Sequence, residues 1–411
     1  MIPSEVVVKV RMSRIYNSYS RADQVTDEQG AISANPQRAA RSYAGSVIEA
    51  FLDQGEVFAD PFRVVEQAIA ARAFPGASIA VTLCGQLVAS KSFGQFTYES
   101  ASSPMATHTI FDLASLTKVV ATTTMAMILY ERGELDLQLP VPGVVPEFAT
   151  EDSRREEVTL QMLLAHSSGL PAYEKLFLKA ATKESLLDAA FKVSLKYSPG
   201  THAEYSDIGF ILFGVALERI AGEPIDSFCR REIFGTLGMA HTGFNPPASS
   251  RPQIPPTSED KMFRKRIIQG EVQDENASVL GGVAAHAGLF STASDVASFA
   301  QCLLRGGSPI LRPETIALFT TRQPSPEGTS RALGWDTPSN GSSAGSLLSS
   351  SSFGHTGFTG TSAWIDPTRE LFIILLTNRV HPSRENNAIR EVRRLVADGV
   401  VKAVDIDPSI H

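Results

Sequence analysis

The chain has 411 residues, 43% hydrophobic and 20% charged, with a formal net charge of -7. That is ordinary globular composition, long enough for one large core or two interleaved lobes. The acidic balance and the lack of a clustered Lys/Arg face argue against a nucleic-acid partner, and no apolar run approaches the roughly 20 residues of a membrane span.

Residues 1–45 are polar with little periodicity and are expected to form a loose tail. The run Val6-Val7-Val8 is broken by Lys9 and lacks the apolar segment of a signal peptide. A cytoplasmic location is therefore expected, unless a misassigned start codon hides an export signal. A helix is expected over 61–72, then a hairpin of strands 77–84 and 86–98 turning at Gly85. The next helix starts at Ser115, carries Val119, Val120, Met125, Ile128 and Leu129 on its apolar face, and ends at Gly133. From 135 to about 282 the pattern is helix and loop, with helices over 160–166, 183–193, 208–221 and 225–234. A helix over 294–304 follows. Residues 339–352, nearly all Ser, Gly, Ala and Leu, read as a flexible surface loop. Strands 361–365 and 371–378, joined by the turn Asp366-Pro367-Thr368-Arg369, should be antiparallel. A closing helix runs from 384 to about 401. The fold class expected is α/β (α+β): an antiparallel sheet flanked by helices from 46–134 plus 283–402, with a mainly helical lobe, 135–282, inserted. Cys84, Cys229 and Cys302 are too dispersed for a disulfide framework or metal site and are read as reduced thiols.

Three stretches can carry chemistry. Ser115-Leu116-Thr117-Lys118 opens a helix and puts a hydroxyl and an amine on one face. A lysine whose pKa is depressed by burial and nearby cations can take the serine proton, and a helix N-terminus offers N–H groups to an oxyanion. A capping serine beside a solvated lysine would give the same four letters, and the spacing recurs at Ser258 and Lys261 with no apolar helix behind it. In the second stretch, Pro199-Gly200 marks a turn, which puts Tyr205 and Asp207 at a loop-to-helix junction. Tyr205 there is a candidate proton shuttle; a packed tyrosine beside a helix-capping aspartate is the plainer alternative. The third stretch is His355-Thr356-Gly357-Phe358-Thr359-Gly360. Its small residues let the backbone approach a ligand, so that a backbone N–H could complete an oxyanion hole and His355 could bind or protonate substrate. A glycine-rich bend with a surface histidine is the alternative. Gly341-Ser342-Ser343-Ala344-Gly345 lacks the strand and helix of a nucleophile elbow, and no histidine pattern supports a metal.

In order and spacing these stretches resemble the Ser-x-x-Lys, Tyr-x-Asn and Lys-Thr-Gly motifs of the serine β-lactamase and penicillin-binding-protein superfamily. Ile110-Phe111-Asp112-Leu113-Ala114-Ser115, His166-Ser167-Ser168-Gly169-Leu170, Pro199-Gly200-Thr201 and Leu333-Gly334-Trp335 resemble its class C-like branch, with its family VIII esterase and D-aminopeptidase or amidase relatives. The resemblance spans about 61–397. It implies that Ser115 is the acylated nucleophile and that Lys118 and Tyr205 share the proton traffic. It further implies that the N–H groups of Ser115 and Phe358 form the oxyanion hole, that Asp207, His355, Thr356 and Gly357 meet substrate, and that neither cofactor nor metal is needed. His355 stands where lysine is usual and supplies positive charge only below its pKa. Asp207 stands where asparagine is usual; it can only accept, and would tend to hold Lys118 protonated. Both departures fit the esterase or peptidase relatives better than β-lactam hydrolysis. Gln273-Asp274-Glu275-Asn276-Ala277 and Gly281-Gly282-Val283-Ala284-Ala285-His286 resemble a branch related to cell-wall amidases and peptidases. That makes Asp274, Glu275 and His286 candidates for the cleft wall, with loop scaffolding as the alternative. The expected activity is hydrolysis of a small ester, amide or peptide through a Ser115 acyl-enzyme. Alternatives are a peptidoglycan-directed amidase or D-peptidase, a transesterase, and a penicillin-binding sensor acylated without turnover.

Overall fold

The computed structural model describes residues 51–406, so the polar segment 1–45 lies outside the described residues. Ten strands are present among them: β1 (Gly76–Leu83), β2 (Gln86–Gly94), β3 (Phe111–Asp112), β4 (Gly243–Phe244), β5 (Glu259–Asp260), β6 (Arg266–Ile267), β7 (Leu289–Ser291), β8 (Phe353–Thr356), β9 (Ser362–Asp366) and β10 (Leu371–Thr377). Five of them form one antiparallel sheet in the order β2-β1-β10-β9-β8. The two ends of the chain meet at its centre, where Ala77 pairs with Thr377 and Leu83 with Leu371.

Every residue of β1 and β10 is buried, because helices cover both faces of the sheet. Side chains alternate between the faces. Ala77, Ile79 and Val81 with Leu371, Ile373 and Leu375 pack on the helices Ala59–Ala70 and Ile389–Ile406. Ala80, Phe372, Ile374 and Leu376 join the main core, together with the helix Ala293–Leu304 and the helix behind Ser115. The antiparallel sheet flanked by helices is the expected fold class. Among the described residues no helix is long and apolar enough to cross a membrane.

Four local expectations change. The stretch from His355 to Gly360 starts inside a strand, β8, and bends only over 357–360; Gly354 suits the strand because a Cβ there would lie 2.5 Å from the Trp364 ring of β9. Residues 339–352 are tied down: Ala344 and Leu348 enter the outer core, Ser346 N donates to Asp398 (2.6 Å), and Ser349 N and Oγ donate to Asp366 (2.9 and 2.6 Å). The closing helix starts at Ile389, since the side chains of Ser383 and Asn386 accept the N–H groups of Glu385 and Ala388 in local turns. The small sheets β3-β7-β4 and β5-β6 have strands of two or three residues, too short to show a period of two.

Candidate active site

β3 ends at Asp112, and the next N–H, of Leu113, bonds back to Leu289 of β7 (2.9 Å). The buried Asp112 carboxylate accepts the Ala114 N–H (2.8 Å) and the Gln273 N–H (2.7 Å). It thereby supports Ala114 at φ 46°, a left-handed conformation rare outside glycine and common where strain is kept for function. That kink delivers Ser115 on a single tight turn, Ala114–Leu116. The helix behind it is not the regular one expected: Lys118–Thr123 is a π-helical turn, and α-geometry starts at Thr124. Such wide turns gather at functional sites.

Lys118 is fully buried, with Nζ within hydrogen-bond reach of Ser115 Oγ (3.2 Å), Asp207 Oδ1 (2.7 Å) and the His286 carbonyl (2.9 Å). Burial lowers its pKa from the usual ammonium range; Asp207 pulls it back up. Tyr205 OH donates to Ser115 Oγ from the other side at 2.7 Å. Burial, reinforced by Asp207, pushes its pKa well above 10, so the ring is a neutral phenol. Its position is set by its neighbours. Ser206 caps the helix Asp207–Ala221 through the Gly209 N–H (3.0 Å), and Ser206 N–H donates to His166 Nδ1 (3.0 Å). The His166 ring lies 4.7 Å from that of Tyr205. Lys118 and Tyr205, from two distant stretches, thus converge on the Ser115 hydroxyl, with Asp207 held on Lys118.

Phe358 and Ser115 both line the cleft, which has a volume of about 830 Å³. Their two segments are stitched together by hydroxyls: Thr359 Oγ1 donates to the Asp112 carbonyl (2.7 Å) and Thr361 Oγ1 to that of Leu113 (2.9 Å). His355 needs correction as a source of positive charge. It is 3% exposed, and burial, Lys118 and Arg331 hold its pKa well below 6.5, so the ring is neutral. Its Nδ1 is hydrogen-bonded to the Thr356 carbonyl (2.8 Å), and neither His355 nor Thr356 nor Gly357 is part of the cleft lining. The permanent cation beside the phenol, besides Lys118 Nζ at 4.9 Å, is Arg331, 5.5 Å from the Tyr205 ring centre. No motif marked it, since a lone arginine ahead of Leu333-Gly334-Trp335 has no local signature.

Asp274, Glu275 and His286 all line the cleft. Asp274 Oδ1 lies 2.9 Å from His286 Nε2 and also caps the short helix Glu275–Val279. Glu275 pairs with Arg384 at 2.8 Å. The β5–β6 hairpin adds Glu259, Asp260, Lys261 and Met262 to the wall. Six carboxylates line the wall beside Lys175, Lys261 and Arg384, and Asp207 and Asp260 are further paired with Lys118 and Arg264 just behind it, which leaves a slight acidic excess. The second Ser-x-x-Lys match is no catalytic pair: Ser258 is buried, whereas Lys261 is 81% exposed on an ion pair with Glu259.

This fold and this serine-lysine-tyrosine arrangement define a class of active-site-serine acyl-transferring enzymes. The family described as Beta-lactamase matches residues 62–398, and the chain belongs to it, as a serine hydrolase. It is 33% identical to the N-acetylmuramyl-L-alanine amidase of Bacillus subtilis (strain 168), over 78% of this chain and 80% of that protein. It is 32% identical to a putative D-alanyl-D-alanine carboxypeptidase of Escherichia coli (strain K12), over 75% and 79%. Among solved structures, EstCE1, a hydrolase with promiscuous acyltransferase activity, superposes with a TM-score of 0.68 at 22% identity, over 88% of this chain and 99% of that one.

Proposed function

We propose that this chain hydrolyses an amide bond in a small, amino-bearing peptide or muropeptide-like substrate through an acyl-enzyme on Ser115. The observation that carries the reading is Ser115 Oγ held between Lys118 Nζ at 3.2 Å and Tyr205 OH at 2.7 Å, at an open cleft. Neutral Lys118 takes the Ser115 proton as Oγ bonds to the carbonyl carbon. The oxygen that becomes negative meets the N–H groups of Ser115 and Phe358. Tyr205, kept as a phenol, gives its proton to the departing nitrogen as the C–N bond breaks, and Lys118 reprotonates it. Water then enters by the reverse route and releases the acid.

Two things favour an amide and an amino group. The 33% and 32% identical relatives are named for amide and peptide bonds next to alanine. The slight acidic excess of the wall favours a cationic group over a second carboxylate. The test is a panel of a nitrophenyl ester, nitrocefin, a D-alanyl dipeptide and N-acetylmuramyl-L-alanine, run on wild type and Ser115→Ala. Turnover of an amide that vanishes in a folded Ser115→Ala variant is expected. Full activity in that variant would end the proposal, and permanent one-to-one fluorophosphonate labelling with no turnover of any substrate would make the chain a sensor.

A further inference from the structure

Two buried arginines hold the turn that carries Phe358. Arg393, on the helix Ile389–Ile406, donates from Nη2 to the carbonyl oxygens of Gly357 (2.7 Å) and Thr361 (2.8 Å). Arg379 donates from Nε to the Phe358 carbonyl (2.9 Å), and its guanidinium lies 4.5 Å from the Phe358 ring centre. The charges that act most on Arg393 are other arginines, and among the described residues no carboxylate pairs with it. A buried cation without a counter-charge is costly, so it needs a reason.

One reason is purely structural. Arg155, in another part of the chain, clamps the carbonyls of Phe148, Phe191 and Val193 in the same manner. What sets Arg393 apart is the peptide it holds. In a trans peptide the C=O and the following N–H point in opposite directions. The Gly357–Phe358 bond is not among the cis bonds of the described chain. With the Gly357 oxygen drawn inward onto Arg393, the Phe358 N–H must point the other way, outward to the cleft that Phe358 shares with Ser115. A cation on the carbonyl oxygen also polarises the amide and makes its N–H a stronger donor. Arg379 holds the next carbonyl and opposes a flip of that peptide.

We infer that Arg393 is a positioning residue for acyl transfer: its guanidinium orients and polarises the Gly357–Phe358 peptide so that the Phe358 N–H stabilises the oxyanion on the Ser115 adduct. The inference rests on the proposed acyl-enzyme. It predicts an effect on the charged transition state and little on ground-state binding.

The test compares a p-nitrophenyl ester with its matched thionoester, whose sulfur is a poor hydrogen-bond acceptor. Wild type should prefer the oxoester. Arg393→Met should lower kcat for the oxoester about 10- to 100-fold with KM nearly unchanged, less than loss of a donor outright. It should also shrink the oxo/thiono ratio by about the same factor. Arg393→Lys, which keeps the charge and is the fallback if Arg393→Met does not fold, should fall between. Arg155→Lys serves as the control for a carbonyl clamp alone, and should lose thermal stability while keeping the ratio. If the Arg393 variants keep the wild-type ratio, Arg393 is only a staple and the inference falls. If Ser115→Ala retains turnover, the acyl-enzyme reading itself falls, whatever Arg393 does.

Discussion

Replacing Asp207 by asparagine tests which group takes the proton of Ser115. Asp207 Oδ1 lies 2.7 Å from Lys118 Nζ, and the lysine is fully buried. Burial lowers the lysine pKa, and Asp207 is the largest influence raising it again. At that distance and an effective dielectric constant of ~20 the raw attraction is about 6 kcal/mol. The Asp207 side chain is 17% exposed, so solvent screens part of this. The net effect of such a neighbour is about 1–3 pH units, or about 1.4–4 kcal/mol. Asparagine keeps the shape and an oxygen acceptor but drops the charge. Only the neutral amine can accept the serine proton, so kcat/KM should fall on the acid side as Lys118 becomes protonated. Removing the charge lowers that pKa, and the acid limb should move down by about 1–3 pH units. The assay is kcat/KM for a nitrophenyl ester across pH 4 to 9, which reports the free enzyme, with stability checked at each pH. An acid limb that stays in place, or moves to higher pH, would falsify the assignment of Lys118 as the base.

Two further predictions concern the frame of the site. Burial raises Asp112 from 3.8 to about 6 despite its two N–H partners, so the native chain holds this proton more tightly than the unfolded chain. The contribution is fully present below pH 3.8 and lost as pH rises through about 6, about 3 kcal/mol in all; unfolding free energies of wild type from urea titrations should drop by that amount relative to Asp112→Asn over this range, and parallel curves would refute it. A Cβ at Gly357 would lie 2.4 Å from the Leu113 carbonyl oxygen and 2.1 Å from Thr361 Oγ1. Gly357→Ala should therefore cost about 1–3 kcal/mol of stability and slow acylation, because the segment leading into Ser115 must shift; wild-type melting and single-turnover rates together would show that the contact is not tight.

The parts of the site that could be read in sequence are those whose chemistry demands a residue type near a recognisable break. Ser115 and Lys118 open an apolar helix, and Tyr205 follows a Pro-Gly turn; both structural contexts are present. The strands of the central sheet were equally legible, because β1 and β10 are mostly apolar and β9 ends at a Pro-containing turn. What could not be read depends on burial and on distant partners. His355 looks like a pH-dependent cation until the strand β8 places it inside, beside Lys118 and Arg331. The β5–β6 hairpin has two residues per strand and shapes the cleft without any periodic signal.

Arg393 is the instructive case, because its signal was present and lay in an element that was expected. The closing helix carries Arg390, Arg393 and Arg394, which in sequence look like one solvated cluster. A helix brings residues four apart onto one stripe, so Arg393 falls in line with Ile389 and Ala397, both buried in the outer core. Arg390 and Arg394 lie on other lines and are exposed or half-exposed. A cation on the apolar stripe of an amphipathic helix cannot be there for solubility; it must have a buried acceptor. Here the acceptors are the carbonyls of Gly357 and Thr361, and the first of these belongs to the peptide whose N–H faces Ser115's side of the cleft. The charge that the third motif lacks at His355 is therefore supplied from behind, through the backbone, where it acts on the orientation of a donor and leaves the cleft itself acidic.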